Sequence, residues 1–352
     1  MMMDPKGSSA SPSGSLPYPE AIALLSKAKS SVILSHVSPD PDAYGSICSL
    51  ALFLEENISG HSATLVNVDS EKVHHPYIPG SERVLAHPPE GLNPDVVIVC
   101  DSGELNRIGD ELASWVLRLG KPIVNIDHHQ SNPNFGEINL VEVSASSTCE
   151  ILFCLFEAFG KNSKCSISAQ VAEALLAGIL GDTGGFRYRS TTAETLRRAA
   201  VLMDCGARLD QLTRHLFGSV PLASLKLSGI ATQKMHLFAD NRIAGACITE
   251  EDYQAAGATA FDGDDIAELL RDIEGVEISY SIRRMEEKWK ASLRTVLEDV
   301  DLSEIARSFG GGGHRAAAAF RASGEISDIV ARLEISLQNA LQHSKLSRGG
   351  NG

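Results

Sequence analysis

Three short apolar runs narrow the fold of this chain more than anything else in it. They are Ser31-Val32-Ile33-Leu34-Ser35, Asp95-Val96-Val97-Ile98-Val99-Cys100 and Pro122-Ile123-Val124-Asn125-Ile126. Their almost unbroken, β-branched apolarity predicts buried strands of a parallel sheet covered by helices. Each run hands over directly to an acid or an imidazole: His36 after the first, Asp101 after the second, Asp127-His128-His129 after the third. In an open α/β sheet the carboxyl ends of the strands are where ligands bind. An acid buried there unpaired costs energy, so Asp101 in particular calls for a partner.

The intervening segments fit the same class. Helices are predicted over Tyr18–Ala28, Ala43–Glu55 and Glu111–Leu119, with a further strand at Ala63–Val68. Strand, polar turn, helix is the repeating unit of a doubly wound sheet. Helices at Cys149–Phe159 (stopped by Gly160), Ala169–Leu180 and Thr191–Met203 complete an N-terminal domain of residues 16–216. Thr191 and Glu194 stand at capping-box spacing. Regularity is lost over 217–234, which is expected to be a linker. Residues 235–345 then predict a smaller α+β domain. Its strands are Met235–Phe238, Arg242–Thr249, Val276–Arg283 and Trp289–Val296, the last two a hairpin, and its helices Ile266–Ile273, Leu302–Ser308 and Ile326–Leu341. A length of 352 residues agrees with two cores.

Composition excludes some functions. The net charge of −14 and pI near 5.2 argue against non-specific duplex binding, which needs a broad basic surface. A small anionic substrate in a metal-filled pocket stays compatible. The seven cysteines include no CxxC pair and read as reduced residues of a cytoplasmic protein. No apolar stretch is long enough for a bilayer. The leader, residues 1–15, is rich in Ser, Gly and Pro but lacks an apolar h-region, so disorder is expected rather than a signal peptide.

Individual motifs are ambiguous when taken singly. In Pro39-Asp40-Pro41-Asp42 the two carboxylates are two apart and can face one way, although alone the turn reads more simply as a helix cap. Gly181-Asp182-Thr183-Gly184-Gly185 allows close approach of a ligand, or is a plain helix-ending loop. His74-His75 lacks acids at ligand spacing and reads as solvated. Gly310-Gly311-Gly312-Gly313-His314-Arg315, followed by an apparent helix start at Ala316–Ala319, offers backbone amides and charge to an anion, or is a flexible loop. Together the set changes meaning. His36, Asp40, Asp42, Asp101, Asp127, His128, His129 and Asp182 form a carboxylate-rich, cysteine-free donor set suited to Mn²⁺ or Mg²⁺. So many acids in one crevice repel unless cations neutralise them. Two such ions sharing a carboxylate activate a water and clamp a phosphoryl centre.

Five segments carry a resemblance: HVSPDPDAYGS (36–46), CDSGELNRIG (100–109), DHHQSN (127–132), GDTGGF (181–186) and FGGGGHRAAAAF (309–320). In this order they resemble the motifs of the DHH phosphoesterases that carry a DHHA1 domain, over nearly the whole chain beyond the leader. The likeness is greatest to the branch of oligoribonucleases and pAp phosphatases. It implies a two-domain α/β protein with the active site in the interdomain cleft. His36 and Asp40 would hold one Mn²⁺, and Asp42, His128 and Asp182 the other. Asp101 would bridge them, Asp127 would orient the site from behind, and His129 would meet the phosphate. From the DHHA1 domain Gly311, Gly312, Gly313, His314 and Arg315 would hold substrate, assisted by Arg294. Substrates would be short single-stranded RNA or DNA oligonucleotides, linear dinucleotides such as pApA or pGpG, or pAp. A homodimer is a candidate assembly.

Ser38 and Pro41 replace the usual Asn and Gly of the first motif at positions that are not expected ligands. Ala319 replaces a usual glycine and bears on substrate preference rather than chemistry. Three other readings compete: a cyclic-dinucleotide phosphodiesterase, a RecJ-like exonuclease and a regulator without catalysis. The chain lacks length for RecJ's added nucleic-acid domain, and its complete acid set argues against lost catalysis. A family II pyrophosphatase would need a C-terminal Ser-Arg-Lys-Lys-type motif that is not found.

Overall fold

A computed structural model describes residues 16–73, 75–162, 165–218 and 220–348. The leader and His74 lie outside them. Contacts divide the chain after residue 219 into two compact units.

The first unit contains α1 (Tyr18–Lys27), β1 (Ser30–Leu34), α2 (Pro41–Asn57), β2 (Ser62–Val66), β3 (Val96–Cys100), α3 (Asp110–Leu119), β4 (Ile123–Asp127), β5 (Ile138–Val141), α4 (Thr148–Asn162), α5 (Ala169–Asp182), α6 (Ala193–Asp204) and α7 (Leu209–Phe217). Its five strands are all parallel, in the order β2-β1-β3-β4-β5. Alternate strand residues feed two cores. Ile33, Ile98, Cys100, Val124 and Ile126 pack with α2, α4 and α5, whereas Val32, Leu34, Val97 and Val99 pack with α3. The sheet is therefore covered on both faces, as continuous apolar strands require. The order reverses direction between β1 and β3, and such a switch point opens a crevice at the strands' carboxyl ends.

Two helix contacts complete that crevice. Asp40 caps α2: its Oδ1 accepts from the amides of Asp42 (3.0 Å) and Ala43 (2.9 Å), and Pro41 occupies the first turn. Glycine lets α2 and α5 cross at van der Waals distance. A Cβ added to Gly178 would lie 2.3 Å from Cys149 Sγ and 2.7 Å from Asp42 Oδ1, and one added to Gly45 would lie 2.6 Å from the Ala174 carbonyl oxygen. That crossing allows the C-terminus of α5, with Asp182, to approach the N-terminus of α2.

The second unit contains α8 (Leu222–Lys234), β6 (His236–Phe238), β7 (Ile243–Ile248), α9 (Glu250–Ala256), α10 (Ile266–Arg271), β8 (Ile278–Met285), β9 (Lys288–Thr295), α11 (Leu302–Ser308), β10 (Gly312–Gly313), β11 (Ala317–Ala322) and α12 (Ile326–Arg348). Its six strands run β10-β11-β9-β8-β7-β6, mostly antiparallel, with β8 and β9 forming the expected hairpin.

The structure corrects several expectations. Residues 222–234 are helical rather than an irregular linker, and Leu227 and Ala231 sit in a core with Ala244, Ala246 and Ile248. Their period is hidden because Leu222 and Leu225 add apolar residues to the exposed face. The capping box of α6 is one residue later than expected, between Thr192 and Thr195. Ala317–Ala322 is a strand, because pairing with β9 outweighs alanine's helix preference. No helix start follows the glycine run. The amides of Gly310, Gly311 and His314 instead donate to Arg307, Ala306 and Ala317 carbonyls.

Gly178→Ala is expected to destabilise the protein by about 1–3 kcal/mol through overpacking. Urea unfolding checks this, and an unchanged midpoint would contradict the close crossing.

Candidate metal centre

The carboxyl ends of β1, β3 and β4 deliver His36, Asp101 and Asp127-His128-His129 side by side, and α2 and α5 add Asp40, Asp42 and Asp182. Asp101 is the pivot. It is 1% exposed and holds a left-handed backbone, φ 55°, uncommon outside glycine. Its Oδ2 lies 3.3 Å from His36 Nε2, and its Oδ1 lies 3.5 Å from His128 Nε2 and 3.7 Å from His129 Nδ1. The two oxygens of one carboxylate thus face two groups of donors. On one side His36 Nε2 is 3.8 Å from Asp40 Oδ2, the oxygen not used in capping. His36 Nδ1 donates to the Val37 carbonyl (2.8 Å), so the neutral ring presents its Nε2 lone pair. On the other side His128 Nε2 is 3.1 Å from Asp182 Oδ2, with Asp42 completing the group. Donor atoms of His36, Asp40 and Asp101, and those of Asp42, His128 and Asp182, lie within 4.8 Å of one another in each group, a spacing that could hold a metal ion.

Behind these donors lies a brace that the sequence did not disclose. The N-terminus of α4 points at Asp42: the Thr148 amide donates to Oδ2 (2.7 Å) and the Cys149 amide to Oδ1 (3.0 Å). Thr148 Oγ1 also donates to Asp101 Oδ1 at 3.1 Å. The sequence predicts a helix from Cys149, but not that the unpaired amides at its start serve an acid far away in the chain. His75, expected to be solvated, is half-buried and donates to the Pro39 carbonyl (3.1 Å) beside the Asp40 turn. Asp127 is fully buried, and its Oδ1 accepts from His129 Nδ1 at 2.7 Å.

Arg294 is half-buried on β9, and its Nη1 donates to the Leu293 carbonyl. Arg315 is exposed and tied to Asp301 Oδ2 (3.4 Å) and the Glu298 carbonyl (3.2 Å). His314 is exposed beside it. Gly311 packs onto β11, where an added Cβ would lie 2.2 Å from the Ala319 carbonyl, and Gly313 is equally crowded at 2.6 Å from Ala317. Gly312 alone of the three is open.

Residues 30–179 match the DHH family N-terminal domain and residues 244–341 the DHHA1 domain. The chain is also 34% identical, over 293 residues, to the bifunctional oligoribonuclease and PAP phosphatase NrnA of Thermus thermophilus, covering 81% of this chain and 82% of that protein. The chain belongs to the DHH family. As a DHH phosphoesterase it is an enzyme, and its sheet order, acids and second unit fit that membership. The NrnA of Bacillus subtilis is 29% identical over 317 residues, covering 90% of this chain and 97% of that protein. An exopolyphosphatase-related protein from Bacteroides fragilis has the same fold, with a TM-score of 0.83, 27% identity and coverage of 94% and 96% of the two chains. No helix among the described residues is long and apolar enough to cross a membrane.

The electrostatics of the DHH site favour a cation. Burial, then the charges of Asp101 and Asp182, push the Asp42 carboxyl well up. Burial raises Asp182 to about 6 despite its bond from His128. Burial opposes charge on His36, yet the bond and charge of Asp101 raise it to about 9. Burial likewise opposes charge on His128, but Asp182 and then Asp101 raise it to about 10. Asp101 itself is driven down, because the surrounding imidazoles outweigh its burial. Protons thus do in part what a divalent ion would do fully, and the donor set fits such an ion.

Both histidines have folded pKa values above their ordinary 6.5, so their contribution to stability is complete below that pH and lost as pH rises through about 9 to 10. Chelator-treated protein is therefore expected to lose thermal stability between about pH 6.5 and 9. Added Mn²⁺ should raise the melting temperature more at the upper pH, since ligands must be deprotonated. Thermal melts with EDTA or Mn²⁺ at both pH values check this; an equal ion-induced shift would contradict it.

Proposed function

We propose that the protein is a Mn²⁺-dependent phosphodiesterase and phosphatase that hydrolyses short oligonucleotides, linear dinucleotides and pAp to mononucleotides. One observation carries the reading: a single buried carboxylate, Asp101, turns one oxygen to His36 and the other to His128. Likeness to the two NrnA proteins supports the substrate class. Mn²⁺ rather than Zn²⁺ suits a donor set of carboxylates and imidazoles without thiolate, with Mg²⁺ the alternative.

His36 and Asp40 would hold one ion, and Asp42, His128 and Asp182 the other, with Asp101 between them. Two ions there would acidify a water and neutralise phosphoryl oxygens. The protein's own groups do the rest. The α4 amides fix Asp42, and Thr148 fixes Asp101, so neither carboxylate need reorganise during reaction. Asp127 holds His129 by Nδ1, orienting the ring toward substrate phosphate through Nε2. Arg294, His314, Arg315 and the run Gly311-Gly312-Gly313 are assigned to nucleotide contacts. Within that run only Gly312 leaves room for close approach. A cytoplasmic location accords with seven cysteines that form no disulfide among the described residues.

The test is a Mn²⁺ assay of purified protein against pApA, pGpG, three- to five-residue RNA, short DNA and pAp. Hydrolysis of one or more is expected, and Asp101→Ala should abolish it while circular dichroism is retained. Near-normal turnover by Asp101→Ala would sink the reading. His314→Ala should raise KM or lower kcat on dinucleotides; unchanged kinetics on the whole panel would remove the glycine segment from the site.

A further inference from the structure

We propose that Asn132 is the positioning residue that locks the Asp127–His129 pair, and with it the imidazole that meets the substrate. This rests on the proposed hydrolysis, in which His129 contacts phosphate. Asn132 lies five residues beyond Asp127, in the turn after β4. Its Nδ2 donates to Asp127 Oδ2 at 2.6 Å and to the Ser102 carbonyl at 3.3 Å. Its Oδ1 accepts from Asn125 Nδ2 (3.0 Å) and from the Asn134 amide (2.8 Å). Both hydrogens and both lone pairs of the amide are therefore used. Its orientation is fixed by chemistry, because only the NH₂ end can face a carboxylate.

The consequence runs to the site. Asp127 is held at both oxygens, Oδ1 by His129 and Oδ2 by Asn132, so the carboxylate cannot swing and the ring it orients cannot follow. The Ser102 contact adds a second link, from this turn to the residue next to Asp101. The two turns are already in close contact: a Cβ at Gly103 would lie 3.0 Å from Ser131 Oγ and 3.3 Å from His129 Cβ. Asn132 thus ties together the turns after β3 and β4, which carry the pivot acid and the substrate-facing histidine.

A simpler role would be an Asx turn, made through the bond from the Asn134 amide. Aspartate would serve that turn equally well. It would also lose both N–H donations and set a second carboxylate against Asp127. Asn132→Asp is therefore the discriminating, nearly isosteric change, with Asn132→Ala as a control that removes the donors without adding charge. In full-length protein with Mn²⁺ and pApA, Asn132→Asp should lower kcat by about 10- to 100-fold, the range for a lost orienting partner. Asn132→Ala should lower it less. KM and Mn²⁺ affinity by calorimetry should stay within about threefold for both. A second readout does not depend on turnover. The downfield NMR resonance of the His129 Nδ1 proton should be present in wild type and be displaced or lost in Asn132→Asp.

Wild-type kcat in Asn132→Asp, or losses equal in both variants and matched by lost Mn²⁺ affinity, would overturn the proposal. So would an unchanged His129 resonance. If Asn132→Asp fails to fold, the same resonance and kinetics in Asn132→Ala decide. An inactive wild type would sink the hydrolytic reading while the resonance still judges Asn132.

Discussion

The site depends on one constraint: the Asp101 carboxylate must be ionised although it is buried. Burial alone would protonate it; the imidazoles of His36, His128 and His129 reverse that. His36 and His128 in turn stay charged, in the absence of a cation, because Asp101, Asp40 and Asp182 face them. Each group is tolerable only with the others in place. A left-handed backbone at Asp101 aims the carboxylate, and the Thr148 hydroxyl steadies it. The topology makes the arrangement reachable, because a sheet whose order reverses between β1 and β3 leaves a crevice where both strands end.

Much of this was legible in the sequence, for a physical reason. Strands buried on both faces write themselves as continuous apolar runs, so β1, β3 and β4 and the acids at their ends could be read directly. The short edge strand β5 lacks such a run, and α8 conceals its period by carrying leucine on its exposed face. Alanine misled at β11, where six residues pair with β9 instead of forming a helix. What could not be read was convergence at second hand. Thr148 and Cys149 brace acids that are distant in sequence, and His75 holds the Pro39 carbonyl beside Asp40; nothing local in their segments distinguishes such a role from a cap or a loop.

The glycine run shows how structure reassigns a motif's physics. As sequence, Gly310–Gly313 offered free amides to an anion. In the fold most of that capacity goes into the β10–β11 pair and the end of α11, and the glycines at 311 and 313 permit close packing. Any nucleotide contact from this segment would then come from Gly312's open face and from the side chains of His314 and Arg315, with Arg294 on β9 beside them in the proposed role. That accords with an acidic protein whose proposed substrates are small: recognition would rest on a few positioned groups, not on a broad basic surface.

In the proposed hydrolysis Asp101 joins two ions. Electron paramagnetic resonance of the full chain titrated with Mn²⁺ tests it most directly. Two equivalents should bind and give an exchange-coupled spectrum that Asp101→Ala abolishes while the fold is retained. A single equivalent, or two magnetically independent ions unaffected by Asp101→Ala, would contradict it.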